Sequence, residues 1–136
     1  MSVVIDASVA LKGVLDKPGK DAGDAPLEEE LIAPSLWLLE AANALWRRTQ
    51  RGVINGREAR ERLSELYNAP VTTTAIEDDL PAAAELANML GHPVYDCLYL
   101  AAAIRENTHV VTADRRFHAA VDGSPALRGA VRLLHL

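Results

Sequence analysis

The β-branched run Val3-Val4-Ile5 has no polar interruption and ends on a carboxylate, Asp6. Such a run reads as a strand buried on both faces, the kind that lies inside a parallel sheet. In an open α/β sheet, ligand crevices form outside the carboxyl ends of the strands. An acid there either faces a site or is an ordinary turn former. Its partners elsewhere in the chain decide between the two.

Strands and helices alternate along the rest of the chain. Ser8 suits the cap of a helix from about Val9 through Leu15. Asp16 to Pro26 is a turn-forming break rich in Gly, Pro and Asp, and Leu27 to Glu30 a short helical turn. Leu31-Ile32-Ala33 reads as a second strand, ended by Pro34. Leu36 to Gln50 is the strongest helix: Pro34 and Ser35 suit its first turn, Arg47, Arg48 and Arg51 its negative end, and Gly52 its stop. Asn55 caps a helix reaching Tyr67, with Arg57/Glu61 and Glu58/Arg62 pairs four apart. Pro70 to Thr73 predicts a third strand. Asp78 or Asp79 caps a helix from Pro81 to Leu90, closed by Gly91. Val94 to Asn107 reads as a second buried helix, Thr108 to Thr112 as a fourth strand, Arg116 to Val121 as a short helix and Val131 to His135 as a last strand. The alternation predicts a three-layer α/β/α fold with a mostly parallel sheet of about five strands, one domain over residues 1–136.

Charge leaves the choice of partner open. The net charge of −5 argues against nucleic acid. Acids gathered around a metal would be partly neutralised, however, and Arg47, Arg48, Arg51, Arg57, Arg60 and Arg62 crowd one short segment. The single cysteine, Cys97, excludes an internal disulfide and fits a reducing cytoplasm. No apolar run approaches the roughly 20 residues that span a bilayer. The N-terminus has no basic segment followed by a long apolar one, so a cytoplasmic protein is expected.

Four acids stand out. Asp6 and Asp114 each follow a buried strand, and converge if strands one and four are neighbours. Glu40 interrupts Leu36-Trp37-Leu38-Leu39 and Ala41-Ala42, in a helix apolar nearly all round, where an unpaired carboxylate is costly. Asp96 repeats the anomaly in Val94-Tyr95-Asp96-Cys97-Leu98-Tyr99. Each has a plainer reading: a turn or cap for the strand-end pair, a Glu40–Arg47 ion pair, and an acid favoured in a helix first turn for Asp96. Carboxylates crowded together raise one another's pKa unless a cation is present. Oxygen ligands, with no His/Cys set at ligand spacing, favour Mg²⁺ or Mn²⁺ over Zn²⁺. Two such ions about 4 Å apart suit in-line attack on a phosphodiester. Ser8 and Thr112 are able to support the acids by hydrogen bonds, or to serve as cap and strand residues only.

Val3-Val4-Ile5-Asp6-Ala7-Ser8-Val9, Ala33 to Leu45 around Glu40, Tyr95 to Ala103 around Asp96, and Val111-Thr112-Ala113-Asp114-Arg115-Arg116-Phe117 resemble, in order, the four signatures of PIN domains. The likeness is to VapC toxins of bacterial and archaeal toxin–antitoxin pairs, and it covers the whole chain. It implies a Mg²⁺- or Mn²⁺-dependent endoribonuclease, a homodimer held inactive by a cognate antitoxin protein. It assigns Asp6, Glu40, Asp96 and Asp114 as the catalytic, metal-binding acids, with Thr112 assisting. Some PIN domains carry a further acid three residues after the fourth, where this chain has Phe117.

The working expectation is hydrolysis of an RNA phosphodiester, with Asp6, Asp96 and Asp114 on the main metal and Glu40 completing the cage or orienting the water. Arg115 and Arg116 either steer the phosphate backbone or form a solvated helix start. The competing non-enzymatic reading is a PIN-like module that only binds a partner protein or RNA. Aspartyl phosphotransfer at Asp6 is disfavoured, because no lysine follows Lys20, and no Gly-rich loop with Lys-Ser/Thr is present. Cys97 beside His92 reads as a buried small residue rather than a nucleophile. His109, His118 and His135 show no ligand spacing.

Overall fold

A computed structural model describes residues 1–15 and 29–134. The turn-rich break over Asp16 to Pro26, the first half of the turn expected at Leu27 to Glu30, and His135 lie outside the described residues. Glu30 itself opens a strand.

The elements are β1 (Ser2–Ile5), α1 (Ala7–Leu15), β2 (Glu30–Pro34), α2 (Trp37–Gln50), α3 (Gly56–Tyr67), β3 (Val71–Thr74), α4 (Leu80–Leu90), α5 (Val94–Arg105), β4 (Val110–Thr112), α6 (Arg115–Asp122) and β5 (Val131–Leu133). The five strands form one parallel sheet in the order β3-β2-β1-β4-β5. The three-layer α/β/α expectation therefore holds, with a sheet that is parallel throughout. The chain builds outward from β1 through β2 to β3, then returns to the other side of β1 for β4. That reversal between β1 and β4 is the switch point at which such sheets leave a crevice. Topology alone thus selects the residues following Ile5 and Thr112.

Val3, Val4 and Ile5 are buried, as a central parallel strand requires. Against them lies α5, whose residues Cys97 through Ala103 are all buried. Its three alanines bring the helix close to β1, β2 and β4. Helix α4 packs along α5, while α1, α2 and α3 pack on one another. Asn55 starts α3 with a full capping box: it accepts from the Glu58 N–H at 2.8 Å, and Glu58 accepts from the Asn55 N–H at 3.1 Å.

Several local expectations are corrected. Helix α1 starts at Ala7, so Ser8 lies inside its first turn and Asp6 accepts from the Val9 N–H at 3.3 Å instead. Pro34 is still in β2, and α2 begins only at Trp37. Nor is α2 apolar all round in its packing: Leu39 is 73% and Trp46 56% exposed, while Trp37, Ala41, Ala44 and Leu45 face the core. The first turn of α5 is likewise open, with Val94 and Tyr95 exposed. Glu58 is committed to its capping box, and Arg62 pairs with Glu65 at 2.8 Å. Asp79 precedes α4 but makes no capping bond. Its buried carboxylate accepts a fork from Arg105, Nε at 2.8 Å and Nη2 at 2.9 Å.

That fork joins the start of α4 to the end of α5. Arg105→Met should destabilise the fold by roughly 1–3 kcal/mol, because it strands a buried carboxylate. Solvent at Arg105, 40% exposed, keeps the cost in that range rather than above it. Adding Asp79→Leu should recover most of the loss. Urea denaturation of the single and double variants checks this; a double variant as unstable as the single one refutes it.

Candidate active site

Beyond the ends of β1 and β4 a cleft of about 380 Å³ is lined by Asp6, Glu40, Asp96 and Asp114. All four acids singled out in the sequence thus share one cavity. Lys12, Arg47 and Arg48 line it too.

Asp6 is the most enclosed of the four, 6% exposed. Ser8 Oγ donates to its Oδ1 at 2.5 Å, and Thr112 Oγ1 donates to its Oδ2. The same hydroxyls accept from the loop after β4: Ser8 from the Ala113 N–H and Thr112 from the Asp114 N–H, both at 3.0 Å. Each hydroxyl therefore ties Asp6 on one strand to the backbone beside Asp114 on the next. Burial pushes the Asp6 carboxyl above its ordinary value, the hydrogen bonds pull it down, and Asp96 adds to the rise.

Glu40, in the first turn of α2, accepts from the Tyr99 hydroxyl at 2.5 Å. Burial raises its carboxyl as well; Tyr99 opposes the rise, Asp96 and Asp6 reinforce it, and Arg47 opposes it last. The alternative of a simple Glu40–Arg47 pair is thereby corrected, because the hydrogen bond belongs to Tyr99. Asp96, in the first turn of α5, accepts from His92 Nε2 at 2.7 Å. Asp114 caps α6, its Oδ1 accepting from the N–H groups of Arg116 at 2.9 Å and Phe117 at 3.4 Å. Capping and cleft-lining are both true of it.

Arg115 and Arg116 follow Asp114 in sequence but are exposed and do not line the cleft. The lining cations are instead Lys12, four residues after Ser8, and Arg47 and Arg48, seven and eight after Glu40. That helical spacing is the signal that would have found them. Tyr99 and His92, three after and four before Asp96, are further contributors that no sequence motif marks. Cys97 is buried and its thiol is pushed up to about 11 by burial, with Asp96 adding, so it stays protonated near neutrality.

Among the described residues no three His, Cys, Asp or Glu side chains converge closely enough to hold an ion as they stand. Each acid is turned onto a protein donor. The chemistry of the set nonetheless suits a hard divalent cation: only carboxylate oxygens, two of them carrying charge that burial penalises.

Asp96→Asn removes a charge that adds to the rise burial imposes on Asp6 and Glu40, and leaves an oxygen for His92. It should stabilise the chelator-treated protein by about 0.5–1 kcal/mol at neutral pH. Asp6 and Glu40 bind protons more readily folded than unfolded, so their burden on stability appears as pH rises from the ordinary carboxyl range through their raised values. The advantage of the variant should grow over that window. Melting curves from pH 4 to 8 in chelator check this, and a gap that stays flat or reverses counts against the crowding.

The PIN domain family model matches residues 3–123. Ribonuclease VapC3 of Pyrobaculum aerophilum is 32% identical over 120 residues, 85% of this chain and 92% of that protein. A Pyrobaculum aerophilum protein known from its crystal structure superposes with a TM-score of 0.71 at 25% identity over 97% of this chain and 83% of its own. A chain of the VapBC2 complex of Rickettsia felis, bound to promoter DNA, shares the fold at a TM-score of 0.65 and 14% identity, covering 99% of this chain and 100% of its own. With the site's geometry and a family match spanning most of its length, this chain belongs to the PIN domain family, among its VapC-type members.

Proposed function

We propose that the chain is a Mg²⁺- or Mn²⁺-dependent endoribonuclease, a single PIN domain over residues 1–136, acting as the toxin of a toxin–antitoxin pair. One observation carries the reading: four acids and three cations line the same cleft at the switch point of the sheet. The acids suit a divalent ion and the cations suit the phosphate backbone of a nucleic acid. The ribonuclease name of the 32%-identical relative supports RNA as the substrate.

In this proposal Asp6, Asp96 and Asp114 hold the ion. When bound, the ion supplies electrophilic stabilisation of the developing phosphorane charge. Ser8 and Thr112 keep the Asp6 carboxylate fixed at the end of β1. Glu40, held by Tyr99 and with its carboxyl raised by burial, orients the attacking water and accepts its proton as the water oxygen bonds to phosphorus and the P–O bond to the leaving ribose oxygen breaks, that oxygen taking a proton from solvent. Arg47 and Arg48 of α2, with Lys12 of α1, bind the phosphates flanking the scissile bond.

The surface supports the proposed partners. Leu39 and Trp46, exposed two turns apart on α2, stand beside the cleft-lining Glu40 and Arg47. An apolar ridge there suits an antitoxin that covers the cleft. A shallow groove of about 240 Å³ between α4 and α5, lined by Leu86, Met89 and Ile104, supports a homodimer. Among the described residues no helix is long and apolar enough to cross a membrane, and a cytoplasmic location is proposed with the rest.

Mn²⁺ should raise the melting temperature of the protein in proportion to the logarithm of saturation, and Asp6→Ala should abolish the response. Cleavage of a single-stranded RNA should require the same ion. No Mn²⁺ response in the unsubstituted protein sinks the nuclease reading in favour of a binding module. Arg47→Ala/Arg48→Ala should weaken binding of a single-stranded RNA about tenfold and flatten the dependence of log K on log salt by about 0.7 for each phosphate no longer neutralised. An unchanged salt slope removes these arginines from the phosphate path.

A further inference from the structure

We infer that His92 is a positioning residue for Asp96, and that its seat on Phe117 locks Asp96 to the helix carrying Asp114. The inference rests on the proposed metal site and adds to it the question of what aims its acids. His92 lies in the turn between α4 and α5, after Gly91, whose left-handed φ of 62° closes α4. Its Nε2 is 2.7 Å from Asp96 Oδ2. A carboxylate only accepts, so Nε2–H donates, whichever charge the ring carries. The imidazole side chain is 13% exposed and stacks on Phe117, ring centres 5.3 Å apart and planes 19° from parallel.

An ordinary surface pair four residues apart gains little and samples many rotamers. This one is held from behind by a ring that is itself fully buried. Phe117 is in the first turn of α6, and its N–H is one of the two that Asp114 caps. An unbroken path of contacts therefore runs Asp96–His92–Phe117–Asp114. Asp96 needs such a hold. Its own charge opposes those of Asp6 and Glu40, and an unrestrained side chain on the open first turn of α5 would swing outward to solvent. Three residues after Asp114 this chain has an aromatic ring that seats the histidine.

The test is Mn²⁺ affinity by titration calorimetry, with melting curves in chelator as the measure of folding. His92→Leu should weaken Mn²⁺ binding 10–100-fold, the range for losing a group that orients a ligand, while the chelated protein still melts cooperatively. His92→Gln, which returns an N–H donor on a similar reach, should recover part of the affinity. Phe117→Leu, which removes the seat and leaves every carboxylate and His92 in place, should weaken binding several-fold, and it carries the test if His92→Leu fails to fold. Unsubstituted protein that binds Mn²⁺, with His92→Leu or Phe117→Leu binding it equally well, overturns this inference and leaves the metal site standing. A His92→Gln variant as weak as His92→Leu also overturns it, since the donor would then be irrelevant. Unsubstituted protein that does not bind Mn²⁺ overturns both.

Discussion

Everything at the functional end of this molecule depends on a buried carboxylate, Asp6, being held across two neighbouring strands. Strands β1 and β4 pair in parallel with Val4 opposite Val110 and Ile5 opposite Val111. That register brings Thr112 and the loop after it level with Asp6. The hydroxyls of Ser8 and Thr112 then bind Asp6 on one side and the 113–114 backbone on the other. A buried charge needs such partners or it neutralises. The same bonds that make Asp6 tolerable fix where Asp114 stands, so the acidic cleft and the strand pairing are one piece of structure.

The cleft reconciles a net charge of −5 with the polyanionic partner proposed above. Its acids are gathered where a cation would offset them, and Lys12, Arg47 and Arg48 line the same cavity. At salt concentrations where the Debye length is about 8–10 Å, a phosphate entering the cleft responds to these local charges far more than to the molecular sum. Net charge governs solubility and long-range steering and says little about a partner that binds inside a cleft.

Strands and helices were legible because burial imposes its period on the sequence. Val3 to Ile5 and Cys97 to Ala103 are apolar for the reason that they are central. The acids were legible because each breaks a local rule, although the rule invoked for Glu40 holds only in part, since Leu39 and Trp46 leave α2 open on one side. What obeys local rules stays hidden. Arg47 and Arg48 at the end of α2 already satisfy the helix dipole, so their helical spacing from Glu40 reads first as local stabilisation and only second as cleft lining. Arg115 and Arg116 err the other way: adjacency to Asp114 suggests the site, but the helix that Asp114 caps carries them outward. The bonds from Thr112 to Asp6 and from Tyr99 to Glu40 span 106 and 59 residues, and no local pattern encodes a contact that only the sheet order creates.

The positions of the acids on their helices explain how the fold tolerates them together. Asp6 precedes α1, Glu40 is in the first turn of α2, Asp96 in the first turn of α5, and Asp114 is the cap of α6. Four helices thus contribute a carboxylate from their N-terminal ends to one cavity. Each such end carries roughly half a positive charge and unpaired N–H groups, and favours a nearby anion by about 0.3–1 kcal/mol where exposed and more where partly buried. Summed over four ends this offsets a good part of the mutual repulsion, yet it does not cancel it, because Asp6 and Glu40 still hold their protons more tightly than ordinary carboxylates. Parallel α/β topology produces the arrangement directly, since each strand ends where the next helix begins. The residual repulsion is what a divalent ion would relieve, in keeping with the metal site proposed above.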